Sequence, residues 1–361
     1  MKKFMIFIRN MNSVVLAIVS LTLAVLISGV IMALCGYNPF EAFGAILVGA
    51  FGDKRAILQT LTQATPLIFT GLAYTFARKA SLINLGIEGQ LYAGAMVAAV
   101  VGVMDFGMPM AIHLPLALGA GILAGGLFAG LVGFLKVKFG SNEVIATIMF
   151  NKVATCLVAY LVNYHFLAEG SGSAQTEKVL ETAMLPRLFA KYQLTIAIII
   201  AVGACILVKY FFEKTVVGYE IRAVGQNQLA AETAGIKAGK LMILTMFISG
   251  AIGGLAGATH VLGVDRRLMI GFSPGYGFDG IAVSALAAEN PVGVIFSGIV
   301  FGALRAGSMV LNRTTSIPTE FTNVIQALVV LFVAAPLLVK EMLGVNLMKK
   351  LEAGKEEAAH E

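Results

Sequence analysis

The stretch SLINLGIEGQLYAGAMVAAVVGVM, residues Ser81–Met104, decides the fold that we expect for this chain. It has the apolar character and length of a membrane span, yet the polar side chains of Asn84, Glu88 and Gln90 lie near its beginning. An ionisable side chain inside a span costs a few kcal/mol on insertion scales and usually faces a bundle interior or a water-filled cavity. The stretch therefore predicts a polytopic membrane protein with a polar interior.

A second stretch repeats this design. Gly277-Phe278-Asp279-Gly280 has the same order of glycine, apolar residue, acid and glycine as Gly86-Ile87-Glu88-Gly89, and each motif precedes an apolar run. Glycines let backbones approach closely or unwind within a membrane. The two motifs predict a duplicated fold around a central path, lined by Asp279 from one half and by the three polar residues of the first stretch from the other. This pattern indicates a transporter subunit rather than an enzyme.

The composition supports a membrane protein. Of the 361 residues, 58% are hydrophobic and only 13% are charged, whereas soluble domains carry about 25% charged residues. The net charge of +6 does not indicate nucleic-acid binding, because lysines and arginines stand singly between apolar runs and act as topology markers. The three cysteines form no CxxC motif and the four histidines no HExxH motif, so we expect neither a disulfide framework nor a metal site.

The apolar segments predict an all-α protein with about ten crossings and a cytoplasmic amino terminus. Eight or nine crossings remain open, because the eighth segment is short and because Lys54-Arg55 and Arg266-Arg267 would lie outside, against the positive-inside rule. The transmembrane domain would cover residues 1–349, and a charged cytoplasmic tail would cover residues 350–361. The predicted segments are 14–34, 57–76, 84–104, 112–135, 144–164, 193–212, 241–263, 276–289, 291–311 and 321–340.

With ten crossings, the two halves, residues 14–164 and 193–340, would have opposite orientation, as in the inverted repeats of many transporters. The alternative is chance similarity between spans rich in glycine and alanine. Pairs of glycines four residues apart predict tight helix packing. A shared spacing relates Lys136, Gly140 and Glu143 to Arg313, Ile317 and Glu320, and the glycine pairs are Gly121/Gly125, Gly126/Gly130, Gly250/Gly254 and Gly298/Gly302.

Two connecting segments are long. Asn163–Tyr192 would be external, polar and partly flexible, either receiving an extracytoplasmic partner or simply joining two spans. Glu213–Lys240 would be cytoplasmic, with short amphipathic helices broken at Gly225 and Gly235. Such organised structure is more than a plain connector needs, so we expect a surface for a soluble partner.

Enzyme motifs are missing from the sequence. The nearest approach to a phosphate-binding loop, Gly235–Leu241, is one residue short and lacks the Ser or Thr. Neither a GxSxG motif, a pair of catalytic carboxylates nor a His-containing triad can be found. We therefore expect a chain that has no nucleotide site and no enzymatic activity of its own.

Three motifs together resemble the permease subunits of bacterial ABC importers for simple sugars and nucleosides. They are NLGIEGQ at Asn84–Gln90, GYEIRAVGQNQLAAETAGI at Gly218–Ile236 and GFDGIAV at Gly277–Val283. The resemblance extends from about residue 14 to residue 338, and Pro66–Gln90 is more similar to the nucleoside branch than to the ribose branch. The sequence SALAAENPVG after the third motif departs from the family, which more often has a hydrophobic-Gly pair and a polar residue before Asn-Pro.

The resemblance implies an inner-membrane permease that binds no cofactor and uses the ATP hydrolysed by a partner. The implied partners are a pair of cytoplasmic ATPases, a second and different permease, and a binding lipoprotein or periplasmic protein. The segment 213–240 would couple the permease to the ATPase. Its implied coupling residues are Gly218, Glu220, Arg222, Gly225, Asn227, Glu232 and Gly235, of which the glycines would shape the loop and Arg222 and Glu232 would make polar contacts.

Several alternatives stay open from the sequence. Glu88 and Asp279 follow glycine and precede an apolar run, so each could cap its own helix instead of contacting a substrate. A simple-sugar permease would share the motifs. An ion-coupled transporter acting alone would explain a repeat with polar groups but not the organised segment 213–240. A membrane-embedded enzyme would need a catalytic cluster, and a channel a selectivity filter, and the sequence offers neither.

Overall fold

A computed structural model describes residues 13–315, 318 and 320–334. These residues form thirteen α-helices and, apart from isolated bridges, no β-strand. The helices are α1 Ser13–Leu34, α2 Pro39–Phe51, α3 Lys54–Arg78, α4 Ile87–Val103, α5 Met110–Phe139, α6 Glu143–Tyr164, α7 Ala197–Lys214, α8 Val216–Gln226, α9 Gln228–Thr233, α10 Ala238–His260, α11 Tyr276–Leu286, α12 Gly293–Thr314 and α13 Glu320–Ala334.

The chain is an all-α polytopic membrane protein, as the sequence predicts. Every predicted segment falls on a helix, while α2 is an additional helix that the sequence reading left out. The end of the last segment (335–340) and the tail (350–361) lie outside the described residues. Among the described residues, four helical stretches are long and apolar enough to cross a membrane by length and composition. They are Met110–Phe139, Glu143–Tyr164, Ala238–Asp265 and Gly293–Leu311.

The chain divides into two compact units. The smaller unit joins Met1–Gly49 with Gly307–Glu361; within it, α1 packs against α13, and Gly49 approaches Val310 so closely that a Cβ would clash. The larger unit is Ala50–Ala306 and holds the helices that carry both motifs.

In the larger unit, α10 is the central helix and packs against α4 and α5 through glycines. Gly254 of α10 meets Gly94 of α4 and Gly125 of α5, and a Cβ on any of the three would overlap backbone atoms. The predicted glycine pairs therefore do form close helix contacts. Next to them, Gly126 and Gly130 of α5 pack on the ring of Phe247.

The helix α3 packs against α11 and α12 through glycines of those two helices. Gly280 of α11 lies against Thr70 of α3, and Gly298 and Gly302 of α12 lie against Ile68 and Ala64 of the same helix. Thus α3 packs on α11 and α12 much as α10 packs on α4 and α5. If a twofold axis relates the two halves, each half must contribute one helix that packs on two helices of the other half. The inverted repeat itself remains a prediction.

Two helices are shorter than the predicted spans. Asn84 precedes α4, which begins only at Ile87 and is about 25 Å long. The predicted segment 276–289 contains only α11, with 11 residues and a length of about 16 Å. Since a bilayer core is about 30 Å thick, α11 cannot cross it alone. We refer to α4 and α11 as the half-helices, and each follows a non-helical segment (Leu82–Gly86 and Arg266–Gly275).

Part of the segment expected to be external and partly flexible packs against the helices. Val179, Ala183 and Leu185 are buried in one apolar cluster with residues of α4, α5 and α10. The backbone N–H of Leu185 donates to the carbonyl of Leu262 at 3.0 Å, and that of Leu180 donates to Gly102 at 2.9 Å. Apolar side chains within a polar-looking loop thus hold it against the helix ends.

Candidate functional site

The two half-helices meet at their amino-terminal ends. Glu88, in the first turn of α4, accepts a hydrogen bond from the backbone N–H of Gly277 in α11 at 2.6 Å. Only glycine fits at position 277, because a Cβ would clash with the backbone nitrogen of Glu88. The sequence reading allowed each acid to cap its own helix, but Glu88 instead caps the half-helix of the other motif. The two half-helices are therefore in direct contact at these ends.

Buried amides fix the backbone before α4. The side chains of Asn84 and Gln90 exchange two hydrogen bonds, of 3.0 and 2.9 Å. Asn84 also donates to the hydroxyl of Ser249 at 2.8 Å, and Ser249 donates to the carbonyl of Ala73 at 2.7 Å. This network joins α4, α10 and α3, so both predicted path residues are fully engaged with the protein itself.

The helix α6 supplies further polar contacts to the same half-helix. Asn151 accepts a hydrogen bond from the N–H of Gly89 at 2.7 Å and donates to the carbonyl of Leu85 at 2.7 Å. Thr147 accepts from the N–H of Leu85 at 3.3 Å. The sequence reading missed both residues, although each is a polar residue inside an apolar span, which is the signal that singled out Asn84.

Asp279 has a different environment from Glu88. Arg305 of α12 donates to the carboxylate of Asp279 from two nitrogens, at 3.0 and 2.7 Å. The same guanidinium lies over the ring of Tyr276, 4.6 Å from its centroid, and donates to the carbonyl of Pro274. The first turn of α11 is capped by Ser273, which accepts from the N–H of Tyr276 at 3.2 Å. Asp279 therefore does not cap its own helix and instead forms a partly exposed ion pair.

Aromatic rings surround this ion pair. Tyr276 donates its hydroxyl to Gln63 of α3 at 2.7 Å, and its ring lies 5.4 Å from that of His260. Phe272 packs against His260 and Tyr92. Carboxylate, guanidinium, amide and aromatic groups thus converge where α3, α10, α11 and α12 meet, a combination that can bind hydroxyls and flat rings.

A small cavity lies beside this cluster and has room for about one water molecule. Its polar lining includes Thr62 of α3, Thr195 before α7, and Thr259 and His260 at the end of α10. The Nδ1 atom of His260 is buried and without a hydrogen-bond partner in the protein. A water molecule in this cavity would satisfy such an atom.

The predicted cytoplasmic segment forms α8 and α9. The break between them is at Asn227, which caps α9 by accepting from the N–H of Ala230 at 3.1 Å. Gly225 does not break the helix as expected, because it lies inside α8 and packs directly against the carbonyl of Lys79. Gly235 follows α9 with φ +86°, which is the left-handed conformation that often ends a helix.

One face of α8 is buried and the other is exposed. Ile221 and Val224 are buried, and Gly218 packs closely on the carbonyl of Phe211. The exposed face carries Val216 and Tyr219. Arg222 is exposed and Glu220 half-buried. On α9, Leu229 is exposed, as is Glu232, which accepts from Gln228 at 3.0 Å.

Comparisons with known proteins give a consistent result. Residues 56–334 match a family model described as a branched-chain amino acid transport system / permease component. The guanosine ABC transporter permease protein NupP of Bacillus subtilis is 34% identical over 346 residues, which cover 95% of this chain and 99% of the relative. The nucleoside ABC transporter permease protein NupB of Lactococcus lactis is 30% identical, covering 92% and 93%. The glucose ABC transporter permease protein TsgB13 of Haloferax volcanii is 30% identical, covering 86% and 84%.

Proposed function

The chain belongs to the family of ABC transporter permeases, and we propose that it forms the membrane path of an ATP-driven importer of nucleosides. Two relatives that are 34% and 30% identical to this chain are named for guanosine or nucleosides. The branched-chain amino acid label of the family model describes the family and does not fix the substrate of one member.

The observation that carries this proposal is the polar cluster around the half-helices in an otherwise apolar bundle. Nucleosides are neutral, with ribose hydroxyls and a flat base. The carboxylate of Asp279 can accept from hydroxyls, and the half-buried ring of Phe272 can pack on a base. Glu88, Asn84 and Gln90 would then hold the path in shape, because they bond to the protein itself.

The proposed complex contains a cytoplasmic ATPase, which would hydrolyse the ATP that this chain has no motif to bind. The exposed face of α8 and α9 supports a docking role, because Val216, Tyr219 and Leu229 would otherwise expose apolar surface. A polar groove beside α9, lined by residues that include Lys136, Ser141 and Glu232, adds to this surface. We also propose a cytoplasmic amino terminus, as the positive-inside rule predicts.

Two further partners complete the proposal. A second, different permease would pair with this chain, and one observation favours it: NupP and NupQ of Bacillus subtilis, two guanosine ABC transporter permeases of one organism, both match this sequence. An extracytoplasmic binding protein would deliver the substrate, as the sequence resemblance implies.

A second candidate function is the import of a simple sugar. The glucose permease from Haloferax volcanii supports it, with 30% identity over 86% of this chain. The two candidates share the polar cluster and the docking surface. They differ because only a nucleoside has a flat base for aromatic rings near the path to pack on.

Uptake of labelled uridine, adenosine and ribose, in cells with and without this chain, tests the proposal. ATP-dependent nucleoside uptake that is lost on deletion is the expected result. Uptake of ribose alone would favour the sugar permease, and uptake without an ATPase partner would contradict the ABC mechanism.

The docking surface has a separate test. Replacing Tyr219, which is 62% exposed, by alanine should reduce co-purification of the ATPase without reducing membrane accumulation. Tyr210→Ala in α7 is the matched control, because this tyrosine is 64% exposed on a helix outside α8 and α9. Equal ATPase recovery from both variants would remove α8 from the docking surface.

A further inference from the structure

We propose that the turn Arg78–Ser81, between α3 and α4, transmits movements of α8 to both half-helices, with Ser81 as a positioning residue. The inference rests on the proposed function, since it needs an ATPase that moves α8. It concerns residues that lie outside α8 and α9 and outside the polar cluster around Asp279.

The first step is the contact between α8 and the turn. The hydroxyl of Ser81 donates to the carbonyl of Gly225, in the last turn of α8, at 2.6 Å. The last carbonyls of a helix lack partners within the helix, so the Ser81 hydroxyl satisfies one of them. Gly225 allows this approach, because a Cβ there would clash with the carbonyl of Lys79. A displacement of the end of α8 must therefore push or pull the turn.

The second step runs along the chain into α4. Ser81 has φ +55°, and its N–H donates to the carbonyl of Arg78 at 2.9 Å, while Leu82 donates to Ala77 at 3.2 Å. These bonds close the carboxyl end of α3 into a defined shape. Asn84, which the amide network holds, comes three residues after Ser81. The backbone between them is too short to absorb a displacement of the turn without moving the beginning of α4.

The third step reaches α11 from the other side of the turn. Arg78 pairs with Glu289, in the loop after α11, at 2.8 Å. One helical turn earlier in α3, the hydroxyls of Thr75 and Ser284 share a buried hydrogen bond of 2.7 Å. The carboxyl end of α11 is thus held by the end of α3, and its amino end is held by Glu88 of α4. Both half-helices are tied to the turn that α8 contacts.

The test uses the full complex in proteoliposomes and measures labelled uridine imported per ATP hydrolysed. Ser81→Gly removes the hydroxyl while glycine readily adopts the positive φ of this position. We expect import per ATP to fall by about fivefold or more. ATPase binding should stay unchanged, because Ser81 lies outside α8 and α9 and the loss of its exposed hydrogen bond should destabilise the protein only slightly. The control is Thr155→Ala in α6, a helix outside the proposed docking surface, where the lost hydroxyl bonds to the nearby carbonyl of Lys152.

If Ser81→Gly fails to assemble, the ion pair between Arg78 of α3 and Glu289 in the loop after α11 provides a second test. Arg78→Glu and Glu289→Arg should each lower import per ATP, and the double variant should restore it, because the pair is re-formed in reverse. Unchanged import per ATP in Ser81→Gly, or a double variant no better than the two single ones, would overturn the proposal. A wild-type complex without ATP-dependent uptake would instead overturn the proposed function, and this inference with it.

Discussion

The motifs Gly86-Ile87-Glu88-Gly89 and Gly277-Phe278-Asp279-Gly280 have the same spacing but different surroundings. Glu88 is only 6% exposed and bonds to the backbone of the other motif. The side chain of Asp279 is 23% exposed and pairs with Arg305. The apolar residues between glycine and acid also differ, since Ile87 is fully buried and Phe278 is half exposed.

This difference teaches that a repeated motif need not have a repeated role. Glu88 closes the contact between the half-helices, where its loss would leave a buried N–H without a partner. Asp279 and Arg305 satisfy each other and keep access to solvent, so this pair can exchange partners with a solute. The first motif therefore holds the structure, and the second is the better candidate for substrate contact.

The largest effect should come from adding a side chain at Gly277, where the two motifs are in contact. Gly277→Ala places a methyl group on the backbone of Glu88, and because backbone cannot move aside as a side chain can, we expect a cost of about 3 kcal/mol or more, at the upper end for overpacking. We expect little protein to accumulate in the membrane and no transport, as measured by quantitative immunoblot and uptake. Gly203→Ala in α7 is the control, because nothing lies within 4 Å of a Cβ there. Normal accumulation of Gly277→Ala would contradict the contact.

A smaller effect should follow from Glu88→Ala. It leaves the buried N–H of Gly277 without an acceptor, at a cost of about 1–3 kcal/mol, so the melting temperature in detergent and transport should both fall. Glu88→Gln keeps an oxygen acceptor and should lose less of both. If the glutamine variant is as impaired as the alanine variant, the charge of Glu88 matters more than its hydrogen bond.

The smallest effect on stability should come from Asp279→Asn. The asparagine can still accept from Arg305, which also keeps its bond to Pro274, so accumulation and melting temperature should stay near wild type. Transport should nevertheless fall several-fold, with a raised KM if Asp279 meets the substrate. A loss of stability as large as that of Glu88→Ala would show that the two acids have the same role.

Much of the fold could be predicted from the sequence, because apolar length and glycine spacing are local signals. The ten segments, the close packing at Gly250/Gly254 and the helices within residues 213–240 all follow from neighbouring residues. The same kind of local signal placed Asn84, Glu88, Gln90 and Asp279 in the polar interior.

The partners of these residues could not be predicted, because each bond joins distant parts of the chain. Glu88 and Gly277 are 189 positions apart, and no local pattern indicates that one acid caps the other half-helix. Gly225 was wrongly expected to break a helix, since glycine is a common helix terminator. The carbonyl of Lys79, which requires a glycine at this point, comes from another part of the chain.

The glycine contacts of α10 with α4 and α5 have a mechanical consequence. Where side chains interlock, helices slide past each other only after those side chains change rotamer. At Gly254 itself, backbone faces backbone, so a small displacement meets no side chain at this point of the contact. Helices packed in this way suit the short sliding steps of a shear motion. This backbone-to-backbone contact thus lies beside the half-helix whose position we expect to change during each transport cycle.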